Sequence, residues 1–190
     1  MSIAELAIAV LLLLLTPGPT NTLILLAGAE RGLVGAARLI PAELLGYLLT
    51  VLPLTLVGAE LLARHSGMQA IVTLAAGLWV AVLAVKLWRA PDGSGAVAVA
   101  GAREVLVTTA LNPKALIFGL VLLPSPDRLA VTLALFAGLV GVVALIWGSI
   151  GAFLRAGKFR QPRSFMLLRR LASVWLAAIS VVLMVRGAAA

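Results

Sequence analysis

Six long apolar segments, separated by short polar or basic stretches, dominate the pattern of this chain. A helix needs about 20 mostly apolar residues to cross the hydrocarbon core of a bilayer. Segments that meet this requirement lie at roughly 3–29, 34–62, 68–88, 104–124, 129–153 and 168–187. The pattern therefore predicts an all-α integral membrane protein with six transmembrane helices.

Two of the six segments are interrupted by proline. Thr-Pro-Gly-Pro occupies 16–19 in the first segment, and Leu-Asn-Pro-Lys occupies 111–114 in the fourth. Proline removes a backbone donor and disfavours helical angles for the residue before it, so helices 1 and 4 are predicted to be broken. Irregular backbone persists in a bilayer only beside protein or a polar cavity. Broken helices at corresponding positions of two halves point to a transporter binding site.

The spacing of the breaks divides the chain into two similar halves. Pro17 and Pro113 are 96 residues apart, close to half of the 190 residues. A turn-rich stretch, Ala-Pro-Asp-Gly-Ser-Gly at 90–95, lies between the third and fourth segments. Because each half has three spans, an odd number, a duplicated unit must enter the bilayer from opposite sides. We therefore expect one transmembrane transporter domain with two inverted-topology three-helix repeats, at about 1–89 and 103–190, joined by a linker at 90–102.

Basic residues are unevenly shared between the two ends of the predicted spans. The loops between segments 1 and 2, 3 and 4, and 5 and 6 are flanked by Arg31, Arg38, Lys86, Arg89, Arg103, Arg155, Lys158, Arg160, Arg163, Arg169 and Arg170. The opposite side has only Arg64, Arg128 and Arg186. The positive-inside rule then predicts that these odd loops are cytoplasmic and that both termini lie outside. The basic residues that flank the loop between segments 5 and 6 also suit contact with anionic lipid headgroups.

Composition narrows the class of protein further. Hydrophobic residues make up 63% of the chain and charged residues 12%, against about a quarter in soluble domains. The net charge of +8 lies mostly between the apolar segments, so nucleic acid is not expected as a partner. The absence of cysteine excludes disulfides and thiolate sites, and a single histidine, His65, leaves neither a metal nor a cofactor expected. Because the apolar start carries Glu5 and no basic leader, a retained first span is predicted over a signal peptide.

Glycines recur at helical spacing in two segments. Gly28 and Gly32 form a small-xxx-small pair in the first, and the fifth contains Gly138, Gly141, Gly148 and Gly151. Small residues let transmembrane helices approach closely, so these positions predict close helix packing. Alternatively, the same glycines could form the contact between two copies of the chain in a homodimer.

The first break offers backbone polarity to a ligand. Pro17 and Pro19 are expected to leave the carbonyls of Leu13 and Leu15 without helical donors. A new half-helix should begin near Pro19, with the N–H groups of 20–22 unpaired. Such a helix start attracts anions and freed carbonyls attract cations, which together suit a zwitterionic amino acid. A kink satisfied by neighbouring helices is the alternative interpretation.

The second break and the second segment offer charged side chains. Asn112 and Lys114 lie within the fourth segment, where an intramembrane lysine costs about 2.5–3.5 kcal/mol and needs an interior partner or water. Pro113 is also expected to free the carbonyl of Thr109. Lys114 could bind a substrate carboxylate, move a proton, or form a structural ion pair with Glu43.

Glu43 and Tyr47 lie within the second segment, one helical turn apart on the same face. A carboxylate at membrane depth is a functional hypothesis by default. For Glu43 three roles stay open: a proton or substrate contact, an ion pair with Lys114, or an interfacial charge.

These motifs resemble those of the LysE/RhtB amino-acid exporters. The matching residues are Thr-Pro-Gly-Pro at 16–19, Gly32, Gly35, Asn-Pro-Lys-Ala at 112–115, Phe118 and Pro124. The resemblance implies a secondary exporter of amino acids or related metabolites in a bacterial inner membrane, driven by the proton gradient. The family's functional residues are matched here by Pro17, Gly18, Pro19, Asn112, Pro113 and Lys114. Pro-Ala-Glu at 41–43 departs from it, because smaller residues are expected there.

Taken together, the sequence predicts a proton-coupled amino-acid exporter and not an enzyme. The substrate-binding residues are predicted to be Pro17, Gly18, Pro19, Asn21, Tyr47, Asn112, Pro113 and Lys114, and the proton-coupling residues Glu43 and Lys114. The expected partners are a small-molecule substrate, protons and membrane lipids. An exporter of another small solute or cation is the alternative. An intramembrane enzyme is less favoured because no His/Asp/Glu cluster falls within the spans, as is a structural subunit.

Overall fold

The computed structural model describes residues 2–64, 68–89, 101–123, 128–156 and 162–188, and every regular element among them is helical. The helices are α1 (Ile3–Leu15), α2 (Pro19–Ala37), α3 (Ile40–Arg64), α4 (Met68–Arg89), α5 (Ala102–Ala110), α6 (Pro113–Ile117), α7 (Leu129–Ala156) and α8 (Pro162–Ala188), with a π-helical turn at Phe118–Leu122 after α6. The all-α prediction is confirmed.

Several of these helices are long and apolar enough to cross a membrane, as in a multi-pass membrane protein. Three single segments qualify: Ile40–Val57, Leu129–Ala156 and Met166–Ala188. Two bent pairs qualify as units, α1 with α2 at 66° and α5 with α6 and the π-helical turn at 47°. The described residues therefore hold three to five candidate spans. Helix α4 is not among them, so the six-span, two-repeat arrangement stays a prediction.

The boundary between the first two predicted spans is wrong. The first was expected to end at 29 and the second to begin at 34, whereas α2 runs to Ala37 and α3 begins at Ile40. Helix α2 continues across a local kink at Gly32, whose φ of 74° is accessible to glycine at little cost. Pro41 then falls in the first turn of α3, where a missing N–H removes no helical hydrogen bond.

Close packing is confirmed at Gly28, Gly148 and Gly151, and a Cβ on Gly148 would lie 2.8 Å from Cβ of Ala36. A Cβ on Gly28 of α2 would lie 2.2 Å from the carbonyl oxygen of Gly148, and one on Gly151 would lie 2.0 Å from that of Leu25. Helices α2 and α7 therefore touch backbone to backbone. The prediction is wrong for Gly138 and Gly141, since nothing in the described part of the chain lies within 4 Å of a Cβ there. The homodimer stays a prediction.

Three helix pairings organise the bundle: α2 packs on α7, α4 on α8, and α3 on α5 and the π-helical turn. Two apolar clusters fill the space between them. One is centred on α2, α4 and α8, and the other joins α1, α3, the π-helical turn and α7. Outward-facing apolar side chains such as Leu12, Leu56, Ile71, Phe153 and Val181 stay exposed, which is typical of a lipid-facing surface.

Candidate functional site at the two helix breaks

The first break is closed largely by side chains of its own segment. Helix α1 ends at Leu15, and the hydroxyl of Thr16 donates to the carbonyl of Leu13 at 2.6 Å. The side-chain amide of Asn21 donates to the carbonyls of Leu14 and Thr16, at 2.9 and 3.0 Å. The expectation that the carbonyl of Leu13 stays free is therefore wrong, because the threonine before the prolines bonds it.

Helix α2 begins at Pro19, as predicted, after an extended Gly18 (φ −162°, ψ 178°). Pro19 occupies a first-turn position, where its missing N–H is harmless. The N–H of Thr22 bonds the carbonyl of Gly18 at 2.9 Å, so Thr22 does not belong to the predicted unpaired set. The start of α2, with Thr20 and Asn21, keeps the positive end of the helix dipole at the break.

The second break has its own caps. Helix α5 ends at Ala110, whose carbonyl accepts from the hydroxyl of Thr50 at 2.7 Å. The side-chain oxygen of Asn112 accepts from the N–H of Lys114 at 3.1 Å and caps α6, which begins at Pro113. The N–H of Asn112 bonds the carbonyl of Thr109 at 3.1 Å. The prediction that Pro113 frees this carbonyl is therefore wrong, because a tight turn supplies another donor.

One proline at each break opens a half-helix. Pro19 and Pro113 each do so, directly after a residue in extended conformation. These two prolines are 94 residues apart, so within the predicted repeats it is Pro19, and not Pro17, that would match Pro113 in its place at a helix start. Pro17 lies within the break itself, which is one residue longer in the first half than in the second.

The two breaks meet in space. The ammonium of Lys114 donates to the carbonyl oxygen of Thr16, 98 positions earlier in the chain. The hydroxyls of Thr20 and Thr109 lie 3.2 Å apart, and the side-chain amide of Asn112 donates to Thr20 at 3.4 Å. A cation thus lies on a break carbonyl, but it is the protein's own lysine and the carbonyl is that of Thr16. The attraction of a ligand's ammonium to the carbonyls of Leu13 and Leu15 stays a prediction.

Glu43 and Tyr47 lie beside this junction on α3, with 2% and 1% of their surfaces exposed. Lys114 attracts the carboxylate of Glu43 electrostatically, but no direct ion pair joins these two described residues. The predicted structural ion pair is therefore wrong as a direct contact. Within the described residues, Oε2 of Glu43 has no hydrogen-bond partner. A buried carboxylate oxygen without a partner is costly, which favours a functional reason for its presence.

Close helix approach holds α3 against the second break. A Cβ on Gly46, between Glu43 and Tyr47, would lie 2.6 Å from the carbonyl oxygen of Leu106 on α5. Tyr47 contacts the second half through aromatic edges, with ring centroids 5.7 Å from Phe118 and 5.4 Å from Phe136. Its predicted substrate contact is not tested by this packing. Sequence analysis missed the aromatic trio, because Phe136 belongs to a distant helix.

A cavity of about 230 Å³ opens beside the first break. At the break it is lined by Pro17, Gly18, Asn21 and Thr22, and its apolar wall is formed by Leu25, Trp147, Leu168, Leu171, Ala172 and Trp175. Three predicted binding residues, Pro17, Gly18 and Asn21, thus line this cavity. Sequence analysis did not identify the wall, because α8 carries no motif that links it to the break.

Some predictions concern residues outside the described ranges. These are His65, Pro124, Lys158, Arg160 and the linker 90–102, of which only 101 and 102 are described. In the described ranges, no three His, Cys, Asp or Glu residues come together in a way that could hold a metal ion. No protein-family model, curated protein or solved structure matches the chain.

Proposed function

We propose that this chain is a secondary exporter of amino acids or related small zwitterions, of the LysE/RhtB type, in a bacterial inner membrane and coupled to protons. The observation that carries the proposal is the position of the Lys114 side chain. Its ammonium lies on a break carbonyl where two half-helix starts meet. A cation, a helix start and broken-helix carbonyls gathered in one place are the groups that bind a zwitterion in a transporter.

Different groups of the protein bind the carboxylate and the ammonium of the substrate. The substrate carboxylate binds the ammonium of Lys114 and the positive end of α2 at Thr20 and Asn21. The substrate ammonium binds the carbonyl of Thr16 once Lys114 turns from that carbonyl toward the carboxylate. The substrate then replaces one internal hydrogen bond by two contacts, one to each half of the chain. An exporter of a simple cation is less favoured, because such an ion offers no anionic group to draw Lys114 away from the carbonyl that it occupies.

Proton coupling rests on Glu43. Its Oε2 is buried without a partner, and its carboxylate lies in the field of Lys114. A proton taken up by Glu43 removes the negative charge that attracts Lys114. In the proposed cycle this loss of charge favours release of the substrate, so proton and substrate occupy the site alternately, as export driven by an inward proton gradient requires.

The helix pairings support two inverted three-helix repeats. Taking α1 with α2 as span one and α5 with α6 as span four, the chain pairs spans one with five, two with four, and three with six. If spans one, two and three are exchanged with spans four, five and six, the pairing of one with five becomes the pairing of four with two. The pairing of three with six stays the same. This is the pattern expected if one repeat rocks against the other around a fixed site. In this arrangement the odd loops face the cytoplasm and both termini lie outside.

Efflux from proteoliposomes tests the proposal. Vesicles loaded with labelled amino acids should release them in a saturable way, and faster with an imposed pH gradient. Lys114→Ala and Glu43→Gln should abolish this release. Lys86→Ala is the matched control, because it removes a lysine that is half-exposed and pairs with Glu104 at 3.9 Å. Normal efflux by the first two variants would refute the site, and no efflux of any amino acid by the unmodified protein would refute the function.

A further inference from the structure

We propose that the cavity beside the first break is the side-chain pocket of the transport site, and that it selects amino acids with uncharged apolar or aromatic side chains. This inference rests on the proposed function. It adds a second binding element, formed mainly by α7 and α8, to a site otherwise formed by the two breaks and α3.

The cavity is joined to the charged part of the site by one residue. Gly18 lines the cavity, and a Cβ placed on Gly18 would lie 3.5 Å from Nζ of Lys114. Asn21 also lines it and bonds the same Thr16 carbonyl that Lys114 occupies. A ligand whose carboxylate lies at Lys114 can therefore extend its side chain past Gly18 into the cavity.

The wall of the cavity excludes charge. Its members on α2, α7 and α8 are leucines, an alanine and two tryptophans, and no ionisable side chain is among the residues that line it. Transfer of an unpaired ionised group into such surroundings is strongly unfavourable, so lysine-like or aspartate-like side chains are rejected. Two tryptophans offer faces and edges that suit an aromatic ring.

One polar atom of the wall is left without a partner. Nε1 of Trp147 is buried, and among the described residues it has no hydrogen-bond acceptor. A buried indole N–H normally finds an acceptor, since leaving it unsatisfied is costly. Because this nitrogen has almost no accessible surface, a ligand oxygen in the cavity would supply that acceptor only after the indole ring turns.

The size of the cavity is compatible with a bulky side chain. An apolar cavity of about 150 Å³ accommodates benzene. The 230 Å³ beside the break is therefore large enough for a ring or a branched aliphatic group. We expect phenylalanine and leucine to fit, and glycine and alanine to leave it partly empty.

A lipid acyl chain is the competing occupant. Leu171 and Trp175 are 57% and 46% exposed, so part of the wall reaches the outer surface of the bundle. The nearness of Lys114 to Gly18, which lines the cavity, favours an amphipathic ligand over an acyl chain, which has no charged group to offer the ammonium. The experiment must nonetheless separate the two occupants.

Competition for efflux in proteoliposomes tests the pocket. Unlabelled phenylalanine and leucine should compete with a labelled substrate at least tenfold better than glycine, and lysine and aspartate should not compete. Ala172→Phe fills the cavity. It should weaken competition by phenylalanine and leucine tenfold or more and leave competition by glycine unchanged. The loss of one methylene contact in such a pocket already changes selectivity about 10-fold to 200-fold. Should this variant not yield folded protein, Ala172→Val gives the same readout with less added volume.

A second pair of variants isolates the indole N–H. Trp147→Phe keeps an aromatic ring but removes the donor, and should raise the half-saturating concentration about twofold to tenfold. Trp88→Phe is the matched control, since Trp88 is exposed beside Arg170 and away from the cavity; it should change nothing.

The outcomes separate this inference from the proposed function. If amino acids are exported but Ala172→Phe weakens all competitors equally, or none, the pocket assignment is wrong. If the purified protein retains a phospholipid that Ala172→Phe releases, with no change in amino-acid selectivity, the cavity is a lipid site and the inference is overturned. If no amino acid is exported at all, the proposed function fails first.

Discussion

The contact between α2 and α7 gives the sharpest prediction for the fold. A Cβ on Gly151 would lie 2.0 Å from the carbonyl oxygen of Leu25. Ordinary contact begins near 3.4 Å, so Gly151→Ala must separate the two backbones by about 1.4 Å at this point. Both partners are backbone atoms of long helices, so no side chain can rotate away to absorb the shift.

Gly138→Ala is the matched control on the same helix. A Cβ on Gly138 meets nothing within 4 Å in the described part of the chain, so this variant adds a methyl group without a clash. Both substitutions gain up to about 1 kcal/mol in helix propensity, and this gain cancels in the comparison. Overpacking typically costs about 1–3 kcal/mol. Gly151→Ala should therefore be about 1–3 kcal/mol less stable than Gly138→Ala.

The assay is reversible unfolding in mixed micelles, followed by circular dichroism while a denaturing detergent is titrated. Gly28→Ala approaches the same interface from α2, where its Cβ would lie 2.2 Å from the carbonyl oxygen of Gly148. It should be destabilised in the same direction as Gly151→Ala. Equal stabilities for Gly151→Ala and Gly138→Ala would show that α2 and α7 do not pack backbone to backbone.

Two further predictions concern the polar residues of the breaks. Asn112→Ala removes the cap of α6 and a donor to Thr20. In the same detergent titration it should lower the free energy of unfolding by about 0.5–2 kcal/mol, and Asn112→Ser should recover part of this loss. Asn21→Ala leaves the carbonyls of Leu14 and Thr16 short of one donor each and should cost about 1–3 kcal/mol; an unchanged unfolding midpoint would mean that water replaces the amide.

Local rules predicted the breaks well. Proline chemistry acts on its immediate neighbours, so the start of α2 near Pro19 and an interruption at 111–114 followed from the sequence, whereas the start of α6 at Pro113 was not predicted. Glu43 was also identified as an unusual carboxylate at membrane depth, and it is almost completely buried. Each of these features depends on residues within one or two helical turns, which a sequence pattern displays directly.

The partners of the freed carbonyls could not be predicted in the same way. The carbonyl of Thr16 is bonded by Asn21, five residues later, and by Lys114, 98 residues later. The first bond depends on the angle between α1 and α2, and the second on how the two halves dock. Neither quantity is encoded in local periodicity. For the same reason the cavity wall on α8 escaped notice, since only the packed bundle brings Leu168 and Trp175 to the break.

The bond between Lys114 and Thr16 gives the proposed transporter a physical reason to change conformation. It joins one half of the chain to the other at the proposed substrate site. A ligand can shift a conformational equilibrium only by interacting differently with its two states. In the proposed cycle a bound zwitterion replaces this internal bond with one contact to each half, so occupied and empty sites favour different relative positions of the halves. Glu43 acts on the same lysine through its charge, and in the proposed antiport proton uptake by Glu43 therefore opposes substrate binding at this ammonium group.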